Sequence, residues 1–278
     1  MKPAVVLGID AAWGAREPSG VALARLDPGG WRCLIVAPSY QSFVEAAIDG
    51  RTIDWSSRAE GGEADVNRLL EAASRVAGAK PDIVCLDMPV SRSPITGRRA
   101  ADQQISQAYG SRQCGTHSPT ATRPGTLGER LANGLYRHGY SLATRDAQPA
   151  FGGVLLEVYP HPAIVELLGL ERRLEYKVSK SCRFWPRATL SERRRRILGS
   201  FQRLRGSLSE WLGPLPLELP TPEATGTLSE LKRFEDALDA VVCCWVGTRY
   251  HANGARAFGS ERDAIWCPLM PRDKRDAD

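Results

Sequence analysis

The chain lacks any apolar run approaching the ~18 residues a membrane-spanning helix needs, and no basic-then-apolar leader opens it. It also lacks C-x-x-C pairs. The seven cysteines are odd in number and Cys243 and Cys244 are adjacent, which argues against both a disulfide framework and a zinc cluster. Cys114 and His117 have a C-x-x-H spacing, but no second pair matches it. These absences lead us to expect a soluble protein of the reducing cytoplasm. With 278 residues, 42% hydrophobic and 25% charged, there is enough chain for one large domain with insertions.

Charge is unevenly placed. The net charge is +5, yet residues 171–205 hold twelve Lys/Arg against three Asp/Glu, a local +9, so the remainder sums to −4. A basic block on a mildly acidic body is expected where one part meets a polyanion, a solvated helix face being the plainer alternative. Tyr176, Phe184 and Trp185 are interleaved among these cations. They either stack on bases or anchor the segment to the body.

The opening stretch, 4–26, organises the rest. An apolar run over 5–9 ends on Asp10, a Gly/Pro/Ser-rich loop follows, and a second apolar run covers 20–26. This pattern predicts neighbouring strands, antiparallel to one another. A carboxylate on an otherwise buried strand is costly unless paired or bound to a cation, so Asp10 is a functional candidate. The alternative is that Asp10 bonds the backbone of its own loop. A third strand is expected over 31–37, a short helix over 41–49 and an amphipathic helix over 64–77. Residues 81–89, PDIVCLDMP, repeat the opening: the apolar run 83–86 ends on Asp87 and is stopped by Pro89.

The 91–150 stretch is irregular and reads as a long insertion with a helix near 127–138. Another buried-type strand over 153–159 carries Glu157, which serves as an auxiliary ligand or base or else pairs with a nearby arginine. Pro160 and Pro162 then break it, and a helix is expected from 163. His161 is a proton carrier or a turn residue. Thr189-Leu190-Ser191-Glu192 fits a capping box, opening a helix with apolar residues at helical spacing from Ile197 to Leu212. Arg193–Arg196 in its first turns oppose the helix dipole, which calls for an anionic partner or nearby acids. A proline-rich linker leads to the last expected element, a helix over 229–250. On it Asp236 and Asp239 share one face among small and apolar neighbours.

This order of elements resembles the ribonuclease H-like fold, a mixed five-stranded sheet with helices on both faces. The motifs GIDAAW with PSGVAL, CLDMPVSR, LLEVYPHPAIVEL and EDALDAVVCCW resemble more closely domain-of-unknown-function family 429, a family of predicted nucleases. The resemblance implies one domain over 1–278 with insertions at about 91–150 and 171–227. It implies a metal site formed by Asp10 and Asp87 with Asp236 and Asp239, either of which aligns as the helix ligand, and with Glu157 auxiliary, holding two Mg²⁺ or Mn²⁺ about 4 Å apart. The implied activity is metal-dependent hydrolysis of DNA or RNA, with Arg183, Arg187, Arg193, Arg194, Arg195 and Arg196 gripping phosphates. Two other readings share the fold. One is a non-catalytic nucleic-acid-binding module. The other is a phosphotransferase of the sugar kinase and actin type, which normally duplicates the fold where this chain has room for one copy.

Overall fold

The computed structural model describes residues 4–145 and 153–270. The last five residues of the 91–150 stretch fall outside them. Strands β1 (Val5–Asp10), β2 (Gly20–Asp27) and β3 (Gly30–Ala37) form an antiparallel meander, and β4 (Ile83–Leu86) joins β1 in parallel. Strand β6 (Gly153–Val158) continues in parallel beyond β4 and carries the short β5 (Tyr140–Leu142) along its first residues. Two further strands follow Tyr250: β7 (Ala255–Gly259) and β8 (Ala264–Pro268), the latter pairing β6. The sheet is therefore eight-stranded, ordered β3-β2-β1-β4-β6-β8-β7 with β5 on β6, rather than five-stranded. The helix expected to end the fold is followed by two more strands.

Alternation along the strands divides the apolar side chains between two large cores, and a smaller cluster joins Ile265 and Cys267 of β8 to Ala101, Ile105 and Tyr109. Val6, Ala22, Cys33, Cys85 and Leu156 face α5 (Pro160–Leu168), α7 (Leu190–Leu212) and α8 (Lys232–His251). Leu7, Ile9, Val21, Leu23, Val84 and Leu86 face α1 (Tyr40–Asp49), α2 (Val66–Ala77) and α4 (Leu127–Arg137). The period of two in a strand requires this split. Helices α3 (Ala100–Tyr109) and α6 (Ser181–Phe184) complete the set. Among the described residues no helix is long and apolar enough to cross a membrane.

Three local expectations change. The irregular 91–150 stretch contains α3, whose inward face (Ala101, Asp102, Ile105, Tyr109) includes a charge and so lacks an apolar period. Pro160 does not delay α5 but starts it, since the first turn needs no proline N–H. The dipole conflict in α7 is met by protein oxygens. Arg194 donates to the carbonyls of Thr225 and Gly226, while Glu192 closes the capping box with Thr189.

Candidate metal and phosphate site

The C-terminal end of β1 delivers Asp10. Its strand partner across the β1–β2 ladder is Gly20, and the backbone N–H of Asp87 donates to the Ile9 carbonyl at 2.8 Å. Two carboxylates from separate strands thus stand side by side at one sheet edge. Helix α8 lies directly over β1 and β2. A Cβ on Gly8 would sit 2.3 Å from the Ala240 carbonyl oxygen, and one on Gly20 2.2 Å from that of Asp236. Only glycine permits this approach, which carries Asp236 and Asp239 to the same edge. Asp10, Asp87 and Asp236 line a cleft of about 400 Å³ with Trp13, Glu17, Pro18, Lys177 and Lys232. Asp10 does not cap its own loop; the Ala12 N–H there is taken by Ser19 Oγ at 3.0 Å.

Sequence reasoning missed the counter-charges. Lys177 Nζ contacts Asp239 and lies 3.2 Å from Glu235; Lys232 Nζ contacts Asp236 and lies 3.1 Å from Glu235. An alternating chain results, Asp239–Lys177–Glu235–Lys232–Asp236, with Glu235 bridging the two ammonium groups. Asp239 is fully buried, and its other oxygen accepts from Tyr176 Oη at 2.7 Å. Glu235 also accepts the Val178 N–H at 2.6 Å. The local signals were the i,i+3 and i,i+4 spacings of Lys232 from Glu235 and Asp236.

Asp10 and Asp87 differ from these acids. No lysine or arginine among the described residues pairs directly with either. Burial, then the charges of Asp236, Asp239 and Asp87, hold the Asp10 carboxyl well above the usual carboxylate range. Burial, then Asp239, pushes Asp87 up to about 7. Burial also raises Asp236 to about 6, with Lys232 opposing. Asp10, Asp87, Glu235, Asp236 and Asp239 together outnumber the two lysines, and burial holds the two without an ion pair, Asp10 and Asp87, toward their neutral form: an excess of carboxyl groups over cations. That excess, made of hard oxygen donors, fits a divalent cation.

The fit is partial. Among the described residues no three His, Cys, Asp or Glu side chains close into a ready-made metal cage. Lysine ammonium groups stand between the carboxylates instead. The open donors are Asp10 and Asp87, with Asp236 behind a half-exposed lysine. Asp239 is engaged on both oxygens and would have to release Lys177 to bind an ion.

Glu157 lies beside Asp87, whose carboxyl its charge helps to raise, but an arginine engages it. Its two oxygens accept from Arg99 Nη1 and Nη2, each at 2.6 Å, and one also takes the Val90 N–H at 3.0 Å. Asp102 pairs with the same guanidinium at 2.9 Å. Burial works against the Arg99 charge, but Glu157 and Asp102 carry it above its ordinary value.

The basic block divides as well. Arg193 contacts Cys182 Sγ and Arg194 is held by chain carbonyls, whereas Arg183, Arg187, Arg195 and Arg196 are exposed. Arg196 lies over the Trp185 ring at 5.6 Å. Tyr176 is an anchor, fully buried; Trp185 packs against the main core.

A family model described as protein of unknown function (DUF429) matches residues 8–264, so the chain belongs to that family. A comparison with curated proteins finds no match.

Proposed function

We propose that this member of the family is a divalent-metal-dependent hydrolase of nucleic-acid phosphodiester bonds, built on a ribonuclease H-like fold. In that reading β3-β2-β1-β4-β6 is the five-stranded unit, and β5, β7 and β8 are additions. One observation carries the proposal. Asp10 and Asp87, from adjacent strands, stand without a direct ion pair in an open cleft beside Asp236 of α8. A protein that needed these acids only for stability would have paired them, as it pairs Glu157 and Asp239.

Asp10, Asp87 and Asp236 would hold Mg²⁺ or Mn²⁺, which when bound supplies water activation and charge neutralisation at a phosphoryl oxygen. The remaining work falls to the chain. Lys232, half exposed at the cleft, offers positive charge to an entering phosphate. Tyr176 and Lys177 fix Asp239, so that α8 presents Asp236 in a constant position. The exposed arginines of α6 and α7 extend the positive surface for a polyanion.

The test is a cleavage screen. End-labelled single strands, duplexes, hybrids and branched junctions are incubated with Mg²⁺ or Mn²⁺, comparing wild type with Asp10→Asn and Asp87→Asn. Cleavage by wild type that both variants lose is the expected result. Salt-sensitive binding without cleavage would instead assign the chain to the non-catalytic binding modules.

A further inference from the structure

The segment Glu157-Val158-Tyr159-Pro160-His161 ends β6 and begins α5, and the proposed chemistry leaves its histidine unused. His161 is 6% exposed, and its Nε2 lies 2.8 Å from Arg173 Nη2. A guanidinium can only donate, so Nε2 accepts, and the neutral ring carries its proton on Nδ1. That Nδ1 is buried without a partner. Burial first, then Arg173 and Lys177, keeps the imidazole uncharged.

Arg173 is equally incomplete. Its Nε is buried without a partner, and no carboxylate among the described residues pairs with it. Its guanidinium lies over the Phe184 ring at 5.8 Å, and its backbone N–H donates to the Arg112 carbonyl at 2.9 Å. Tyr159 Oη donates to the Gly115 carbonyl at 3.2 Å, drawing the loop that carries His117 against the same spot. Lys180 follows on the 3₁₀ turn Val178–Lys180. Burial first, then neighbouring cations that include Arg173, lowers both His117 and Lys180. A partly buried cation cluster with two orphaned N–H donors is short of an anion.

The cluster adjoins the carboxylate cleft. The His161 ring meets Tyr159 at 5.4 Å and Tyr176 at 5.5 Å, both edge-on, and Tyr176 Oη donates to Asp239. One tyrosine therefore separates the two groups of opposite charge.

We infer that Arg173, His161, Lys180 and His117 form a phosphate subsite, holding a phosphate of the same strand whose neighbouring linkage lies at Asp10 and Asp87. The inference rests on the proposed nucleic-acid reading for its ligand. Phosphate suits the donors: the guanidinium fork matches two phosphate oxygens, and Nδ1–H and Lys180 Nζ each add one further donor.

The test measures binding with chelator present, so that cleavage does not intervene. A short fluorescent oligonucleotide and inorganic phosphate are titrated against wild type, Arg173→Gln, Lys180→Gln and Asp10→Asn. Arg173→Gln is expected to weaken oligonucleotide binding roughly tenfold and to reduce the slope of log K against log salt by about one. It should also abolish the rise in melting temperature that phosphate gives wild type. Lys180→Gln, on the 3₁₀ turn, should weaken binding in the same direction even if Arg173→Gln folds poorly. Wild-type affinity and slope in folded Arg173→Gln and Lys180→Gln would overturn the inference. So would a phosphate response lost in Arg173→Gln beside unchanged oligonucleotide binding, since the strand would then not use the subsite. The two failures separate cleanly. Asp10-dependent cleavage with unchanged Arg173→Gln binding sinks only the subsite. Arg173-dependent oligonucleotide binding with no cleavage sinks only the nuclease.

Discussion

The backbone of Gly20 touches the backbone of Asp236 so closely that a Cβ there would lie 2.2 Å from the Asp236 carbonyl oxygen. Gly20 is also the ladder partner of Asp10. One glycine therefore sets the separation between the acid of the first strand and the acid of the helix. Gly20→Ala is expected to destabilise the fold by about 1–3 kcal/mol through overpacking. It should also lower metal affinity by moving α8 off the sheet. Urea unfolding and Mn²⁺ titration of the variant check both effects.

Metal-free protein should lose stability as pH rises. Unfolded aspartates titrate near ~3.9, while Asp236 and Asp87 in the fold titrate at about 6 and about 7, with Asp10 also raised. Below the unfolded value both states are protonated. Between the two values the unfolded chain gives up its protons first, and stability falls until the folded groups ionise. Thermal melts in chelator from pH 4 to 8 should show that decline, with Asp10→Asn flattening it. Added Mg²⁺ should restore stability most at the alkaline end, because protons no longer compete for the carboxylates.

Lys177→Met should be severely destabilising, by about 3–5 kcal/mol, because Asp239 would remain buried without its cation while Glu235 kept only Lys232. Adding Asp239→Asn should recover part of that loss. A double-mutant cycle by denaturant unfolding measures the coupling. Purely additive effects would show that Asp239 does not depend on Lys177.

Glu157→Gln separates structure from chemistry. It should lower stability by on the order of 2 kcal/mol, since Arg99 loses a charged partner on which it makes two bonds. Metal affinity should stay at the wild-type value. A tenfold loss of Mn²⁺ affinity would return Glu157 to the metal shell.

The exposed arginines should act on affinity alone. Arg187→Gln with Arg195→Gln is expected to reduce the salt slope of nucleic-acid binding by about two and leave the melting temperature unchanged. Arg194→Gln should instead lower the melting temperature, because its guanidinium ties α7 to the Thr225 and Gly226 carbonyls. Fluorescence anisotropy and calorimetry distinguish the two classes.

What the sequence determined by itself was local. The runs ending in Asp10 and Asp87, the amphipathic face of α2 and the capping box at Thr189 are written in neighbouring residues. They follow from burial periodicity and unsatisfied N–H groups at helix ends. The inward placement of Asp236 and Asp239 was legible in the same way, from the small and apolar residues around them. Helix α3 was hidden because its buried face includes Asp102, and β7 because its half-buried run is interrupted by Arg256. Only the tertiary structure decided which acids are free. Glu157 meets an arginine 58 positions away, and Asp239 a lysine 62 positions away. A carboxylate's partner is fixed by how the elements stack, and at such separations no sequence spacing records it. Asp10 on β1, Asp87 just past β4, and Asp236 and Asp239 on α8 look alike in the chain. Packing left Asp10 and Asp87 without an ion-pair partner and closed Asp239 inside a salt-bridged core.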